Sequence, residues 1–218
     1  VIACVKHFAL NSMEDLRVYV DSHIDDRALH EVYLPHFKKC VDAGAQSIMG
    51  AYNRYEEYHC CENKKLLTDI LRREWGFDGF VMSDFVWGVY DAEHSLRAGL
   101  DLEMMFTMKY SEGNIRKCLK KGLLNEEHID RAVDNILRAL LRMEPKIRKR
   151  PMSVVRSKEH RALALEAAEK GMVLLENNGV LPLAKDASVI VCGPYADVAN
   201  TGDHGSSRVY DPEVVTPY

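Results

Sequence analysis

The chain has 218 residues, 47% of them hydrophobic and 28% charged, with a formal net charge of −4. That is ordinary globular composition, enough for one large domain or one and a half. No apolar run approaches the roughly 18 residues that cross a bilayer, so no membrane partner is expected, and the mild acidity gives no reason to expect nucleic acid.

The chain opens on a strand-like run, Val1–Val5, without an initiator Met. This reads as a piece of a longer protein, with any leader peptide upstream. Apolar residues at helical spacing follow from Arg27 to Val41, where Pro35 marks a helix start or kink. Gly44 stops that pattern before the second run, Ser47–Met49. Asn63 to Trp75 is a second amphipathic helix, and Gly76 and Asp78-Gly79 turn the chain into a third run, Phe80–Met82. That run is continuously apolar, as a parallel strand buried on both faces should be. A fourth covers Ala98–Leu102. Strand–helix alternation implies parallel βαβ units. Four such units with polar strand ends suit the later, C-terminal half of a (β/α)8 TIM-like barrel.

From Ser111 to Met143 the period is helical, broken at Gly122 and restarted by an Asn125 cap with Glu126-Glu127 in the first turn. Ile129, Val133, Ile136, Leu137, Leu140 and Leu141 form one apolar face, expected to pack into the core. Glu144 to Val155, with two prolines and the basic run Lys146–Arg150, has the composition of a solvated linker. A helix over Ser157–Lys170 and a strand over Ser188–Cys192 begin a second unit. The expected division is a partial barrel catalytic domain over 1–143, a linker over 144–156 and the start of a second domain over 157–218.

The six cysteines (Cys4, Cys40, Cys60, Cys61, Cys118, Cys192) have neither disulfide-scaffold nor zinc spacing. They read as buried or incidental thiols, with Cys4 and Cys192 as small packing residues in strands, and no metal or cofactor is expected. The compartment stays open for a soluble protein, the free thiols favouring the cytoplasm over secretion.

The chemistry concentrates where strands end. Ser83-Asp84 after a strand could, alone, be an N-cap pair opening the next helix. It follows, however, the long run Ile70-Leu71-Arg72-Arg73-Glu74-Trp75-Gly76-Phe77-Asp78-Gly79-Phe80-Val81-Met82. A carboxylate at the C-terminal mouth of such a strand stands where catalytic groups collect. Lys6-His7-Phe8 follows the first strand, with Asn11-Ser12-Met13-Glu14-Asp15-Leu16-Arg17 just beyond, and Met49-Gly50-Ala51-Tyr52-Asn53 ends the second.

These four segments, in this order, resemble glycoside hydrolase family 3, β-glucosidase and β-xylosidase type, over essentially the whole chain. The resemblance implies that Asp84 is the catalytic nucleophile. It implies that Lys6 and His7 bind sugar hydroxyls, that Arg17 lines the pocket and that Tyr52 lies against the nucleophile. Phe85, where the family often has Trp, Trp87, where it has a small residue, and Tyr90 offer aromatic faces to a sugar ring. Tyr55-Glu56-Glu57 replaces a common Val-Asn-Gly, Met105 replaces a usual Pro, and Asp101 reads as structural. Ala9-Leu10-Asn11 departs from the Pro-Gly-His-Gly of the family's N-acetylglucosaminidase branch. The stretch Leu174-Leu175-Glu176-Asn177-Asn178-Gly179-Val180-Leu181-Pro182-Leu183 resembles the family's entry into an α/β sandwich domain. The glycine-rich loop Gly202–Ser207 reads as a loop of that domain reaching toward the barrel mouth.

The implied activity is retaining, exo-acting hydrolysis of a β-linked oligosaccharide or glucoside through a glycosyl-Asp intermediate, without cofactor. The acid/base Glu then lies beyond the chain's end, and the Asp and Arg that grip the sugar lie before Val1. The alternatives are an inactive or carbohydrate-binding fragment of such an enzyme, or a β-xylosidase-type member; a homo-oligomer is the open partner question.

Overall fold

The computed structural model describes residues 1–202 and 213–217. The chain divides into two compact units, Val1–Lys149 and Arg150–Tyr218. That boundary falls inside the expected linker.

In the first unit, β1 (Cys4–Phe8), β3 (Ser47–Gly50) and β6 (Phe80–Met82) form a parallel sheet in the order β1-β3-β6. Its register pairs Val5 with Ile48 and Ile48 with Val81. The strand runs are apolar because both faces are covered: Phe8, Ile48 and Val81 are fully buried with Leu66, Leu67, Leu71 and Leu100. Phe8 meets Phe37 and Trp75 edge-on, which docks two helices on one strand.

A second sheet is built from β2 (Asp21–Ser22), β4 (Arg54–Tyr55) and β5 (Tyr58–His59). Glu56 and Glu57 join β4 to β5 with φ +49° and +76°. A two-residue hairpin demands that twist and usually takes Asn-Gly. Here the Glu57 N–H donates to both oxygens of Asp21, at 3.2 and 3.0 Å, anchoring the strained turn.

The helix expected over 27–41 is broken. A helical segment from Asp26 to Tyr33 ends at Leu34, and Pro35 opens a new helix, Pro35–Asp42, at its first position. The second expected helix runs over Lys65–Glu74, wound with i→i−5 bonds such as Trp75 N–H to Ile70 O.

Two expectations are corrected in this unit. The strand expected over Ala98–Leu102 reduces to a single parallel bridge, Leu102 to Met82. Ala98 instead ends a helix, Ala92–Ala98, closed by Gly99 at φ +116°, a conformation glycine adopts without a Cβ penalty. The Glu126–Met143 helix buries Ala132 and Ala139 and half-buries Arg131 and Asn135, together with Ile129 and Ile136 of the expected apolar face. Val133, Leu137, Leu140 and Leu141 stay 48–63% exposed. The packed face thus centres on Ala132 and Ala139 and on the ties of Arg131 and Asn135 to Asp101, and four of the six bulky residues lie beside it.

In the second unit Ser157 caps the Lys158–Gly171 helix, accepting from the His160 N–H at 3.3 Å. Asn177 organises the following turn, its Oδ1 accepting from Gly179 and Leu181 N–H groups. The strand expected over 188–192 is absent among the described residues, and Cys192 is exposed rather than packed. A strand exists only with a paired neighbour, and no described segment of this unit supplies one. The loop residues from Asp203 to Ser207 lie outside the described residues.

Candidate active site

Parallel strands carry their C-terminal ends to one edge of a sheet, and the candidate residues sit there. After β6 the Ser83 N–H donates to Leu102 O at 2.9 Å and the Val86 N–H to Met104 O at 3.0 Å. The Met104 N–H donates to Ser83 Oγ at 2.9 Å, and that hydroxyl donates to Asp84 O at 2.8 Å. These bonds fix the backbone on both sides of Asp84. Val86 is held at φ +67°, a left-handed conformation a β-branched residue adopts only when its surroundings force it. Asp84 opens no helix; Asp91 is the N-cap of the next one, accepting from the His94 N–H at 2.9 Å.

The Asp84 side chain is only 10% exposed, and its Oδ2 lies 3.4 Å from His7 Nε2. Its Oδ1 accepts from the Phe85 N–H at 2.7 Å. Burial pushes the pKa of His7 below its ordinary value; the Asp84 charge opposes that shift and the Lys6 charge adds to it. A neutral imidazole results, able to donate from Nε2 to the carboxylate or to a ligand hydroxyl. Lys6 is exposed beside it.

Tyr52, 5% exposed, donates its hydroxyl proton to Phe85 O at 2.6 Å. Burial first, and then the Asp84 charge, push the phenol's pKa well above its ordinary value, so the proton stays on. Arg17 lies over the Tyr52 ring, 4.6 Å from its centroid, and pairs with Glu14 at 2.6 Å. Asn11 Nδ2 completes that loop by donating to Glu14 Oε1 at 3.0 Å.

The structure therefore brings Asp84, His7, Tyr52 and Arg17 into one cluster, with Lys6 at its rim. Phe85 joins through its backbone, its ring 40% exposed, and Trp87 presents its ring to solvent at 61%. Tyr90 stacks on His59, ring centroids 3.8 Å apart. Arg54 Nε donates to His59 Nε2 at 3.2 Å, so Nδ1 carries the proton and donates to Tyr52 O at 3.1 Å. Burial lowers the His59 pKa and keeps this ring neutral. Among the described residues the group with metal-like spacing is Asp91, Glu93 and His94, whose Asp91 is already engaged as a helix cap.

Sequence reasoning missed two supports. A Cβ on Gly88 would stand 2.5 Å from Asp84 O and 2.9 Å from its N, so only glycine lets the loop close behind Asp84. The other is Glu62, a buried carboxylate in a turn whose neighbours, Cys60 and Cys61, are also buried. An acidic residue locked in an otherwise buried turn leaves no periodic signal.

A carboxylate at a parallel strand end, beside an imidazole and a phenol, is the site plan of an α/β enzyme. The Glycosyl hydrolase family 3 N terminal domain matches residues 1–139, and the chain belongs to that family. Thermostable beta-glucosidase B of Acetivibrio thermocellus is 39% identical over 210 residues, covering 95% of this chain and 27% of that protein. Beta-glucosidase 3B from Thermotoga neapolitana, solved with glucose, superposes with a TM-score of 0.88 at 34% identity, over 99% of this chain and 31% of that one. The beta-glucosidase from Kluyveromyces marxianus, also solved with glucose, gives 0.89 at 34% identity, over 100% and 27%. The chain spans about a quarter of the length of the curated relatives it matches. Among the described residues no helix is long and apolar enough to cross a membrane.

Proposed function

We propose that this chain is the nucleophile-bearing part of a retaining, exo-acting β-glucosidase-like hydrolase. Its first unit is the later half of a (β/α)8 barrel, followed by a linker and the beginning of an α/β sandwich domain. The parallel order β1-β3-β6 with the Leu102 bridge supports the barrel reading. The β-glucosidases solved with glucose support a glucoside substrate.

The observation that carries the reading is Asp84, a nearly buried carboxylate at the end of β6, fixed by its backbone and flanked by His7 at 3.4 Å. Asp84 attacks the anomeric carbon while an acid from outside this chain, roughly 5–5.5 Å from it across the glycosidic bond, protonates the leaving oxygen. Water, deprotonated by the same group, then attacks the glycosyl-Asp ester and releases the sugar with retained configuration. Lys6 and His7 supply donors to sugar hydroxyls. Tyr52 commits its proton to Phe85 O and so orients the nucleophile loop. Phe85 and Trp87 give apolar faces to the ring.

In the intact protein, Asp84→Gly should lower kcat on aryl β-glucosides by roughly a thousandfold or more, and added azide should restore turnover with an inverted glycosyl azide as product. Wild-type rates in Asp84→Gly would sink the assignment.

A further inference from the structure

One short turn, Cys60–Glu62, touches the exits of β1 and β3 and reaches the loop that follows β6. Cys60 Sγ donates to Ala9 O, beyond β1, at 3.3 Å. Cys61 Sγ lies 3.9 Å from Ala51 O, beyond β3. Gly50 admits this sulfur, since a Cβ there would stand 2.5 Å from it. Glu62 is 9% exposed, and one oxygen, Oε1, accepts from the Tyr90 N–H at 2.9 Å and the Asp91 N–H at 2.6 Å. Tyr90 closes the loop that begins at Phe85 and carries Trp87. Asp91 caps the helix after it.

We infer that Glu62 is a positioning residue: its carboxylate clamps the far end of the 85–91 loop, so that Phe85, Trp87 and Tyr90 present their rings to the substrate in one arrangement. The near end is already held by Ser83, Met104 and Tyr52. Between the two ends the loop has strained backbone at Val86 and exposed rings. Such a segment keeps its shape only while both ends are fixed. One carboxylate oxygen accepting from two successive amide N–H groups holds both ends of that dipeptide at once. Glu62 holds the loop only at its far end, at Tyr90 and Asp91, while Gly88 and the near-end bonds keep the part behind Asp84 in place, so its loss weakens substrate binding more than the chemical step. This inference rests on the glycosidase reading for its substrate, though the clamp itself does not.

The test uses the intact protein with Glu62→Ala, Glu62→Asp and Glu62→Gln, steady-state kinetics on an aryl β-glucoside, and amide exchange over 85–92. Glu62→Ala should raise KM by about tenfold or more while kcat falls by less than about threefold, and protection of Tyr90 and Asp91 should be lost. Glu62→Gln keeps an acceptor at Oε1 and should restore KM to within about threefold. Glu62→Asp retains the charge but withdraws it by one methylene, and should raise KM even if Glu62→Ala does not fold. Unchanged exchange in both Glu62→Ala and Glu62→Asp overturns the clamp. Lost protection with KM unchanged, or kcat falling more than KM rises, overturns the role toward substrate. A wild type inactive on every β-glucoside overturns the glycosidase reading instead, and exchange still decides the clamp.

Discussion

Replacing Asp101 with Ala should cripple folding and leave the chemistry of whatever folds intact. The Asp101 side chain is fully buried, with Oδ2 2.5 Å from Arg72 Nη2 and accepting from the Val81 N–H at 2.8 Å. Its Oδ1 accepts from Asn135 Nδ2 at 3.0 Å and lies 3.8 Å from Arg131 Nε. Burial pushes the Asp101 pKa up, and Arg72, the Val81 amide, Asn135 and Arg131 pull it back. Removing one member of a buried ion pair costs about 3–5 kcal/mol. Arg72 keeps Gly79 O and Gly99 O as partners, which places its loss at the low end, about 3 kcal/mol. The orphaned Val81 amide adds about 1–3 kcal/mol. Against a total stability of about 5–15 kcal/mol, that is a large fraction. Thermal unfolding of the intact protein, followed by circular dichroism, should drop by about ten degrees. The kcat/KM per folded molecule should stay within about threefold. A melt within about one degree of wild type would refute the network account, and an Asp101→Ala protein that melts normally but turns over poorly would move Asp101 into the site.

Gly88→Ala should cut kcat by about a hundredfold with a smaller effect on KM, because its methyl would displace the Asp84 backbone; kinetics equal to wild type would show that the loop yields. His7 and His59 are both held neutral, their pKa values lowered by burial. The unfolded chain therefore binds their protons first, so their stability contribution is full above about pH 6.5 and fades as pH falls toward the folded values. Denaturant midpoints measured from pH 8 to pH 5 should fall on acidification with a slope that His59→Gln makes shallower; an unchanged slope counts against the assignment. Residues 1–218 expressed alone should be oligomeric or poorly folded and inactive on aryl β-glucosides, since Val133, Leu137, Leu140 and Leu141 lie exposed in one helix. A monodisperse, cooperatively melting, active monomer on size exclusion would contradict this.

Much of the plan was legible in the sequence because buried parallel strands and turn residues leave local marks. Phe80–Met82 is short, apolar and bounded by Gly79 and Ser83, so its identity and its exit residue follow from the string. Pro35 and Gly44 marked helix boundaries for the same reason. What escaped depends on partners far along the chain. Ala98 reads as strand until Asp91 caps a helix before it and Gly99 ends that helix. The inward face of the last helix in the first unit is chosen by Asp101, which recruits Arg131 and Asn135 across 30 or more residues. Periodicity favoured the bulkier stripe. The strand expected at 188–192 failed because alternation of residue types supplies no pairing partner.

Asp84 and Asp101 show how the same side chain comes to hold opposite roles a short distance apart along two chain segments leaving one sheet. Both are acidic, both are buried, and both follow apolar runs. Asp101 has its oxygens filled by Arg72, Val81 and Asn135, so nothing remains with which to meet a ligand. Asp84 has one oxygen on the next amide and the other facing His7, a group that can turn from it to a ligand hydroxyl. A carboxylate whose partners are fixed backbone and guanidinium groups stabilises the fold. One whose remaining partner is a neutral imidazole at an open strand end keeps a lone pair for an incoming electrophile. The difference lies in what the surrounding loops leave unpaired, which the glycine at position 88 helps to set by letting the chain pass close behind Asp84.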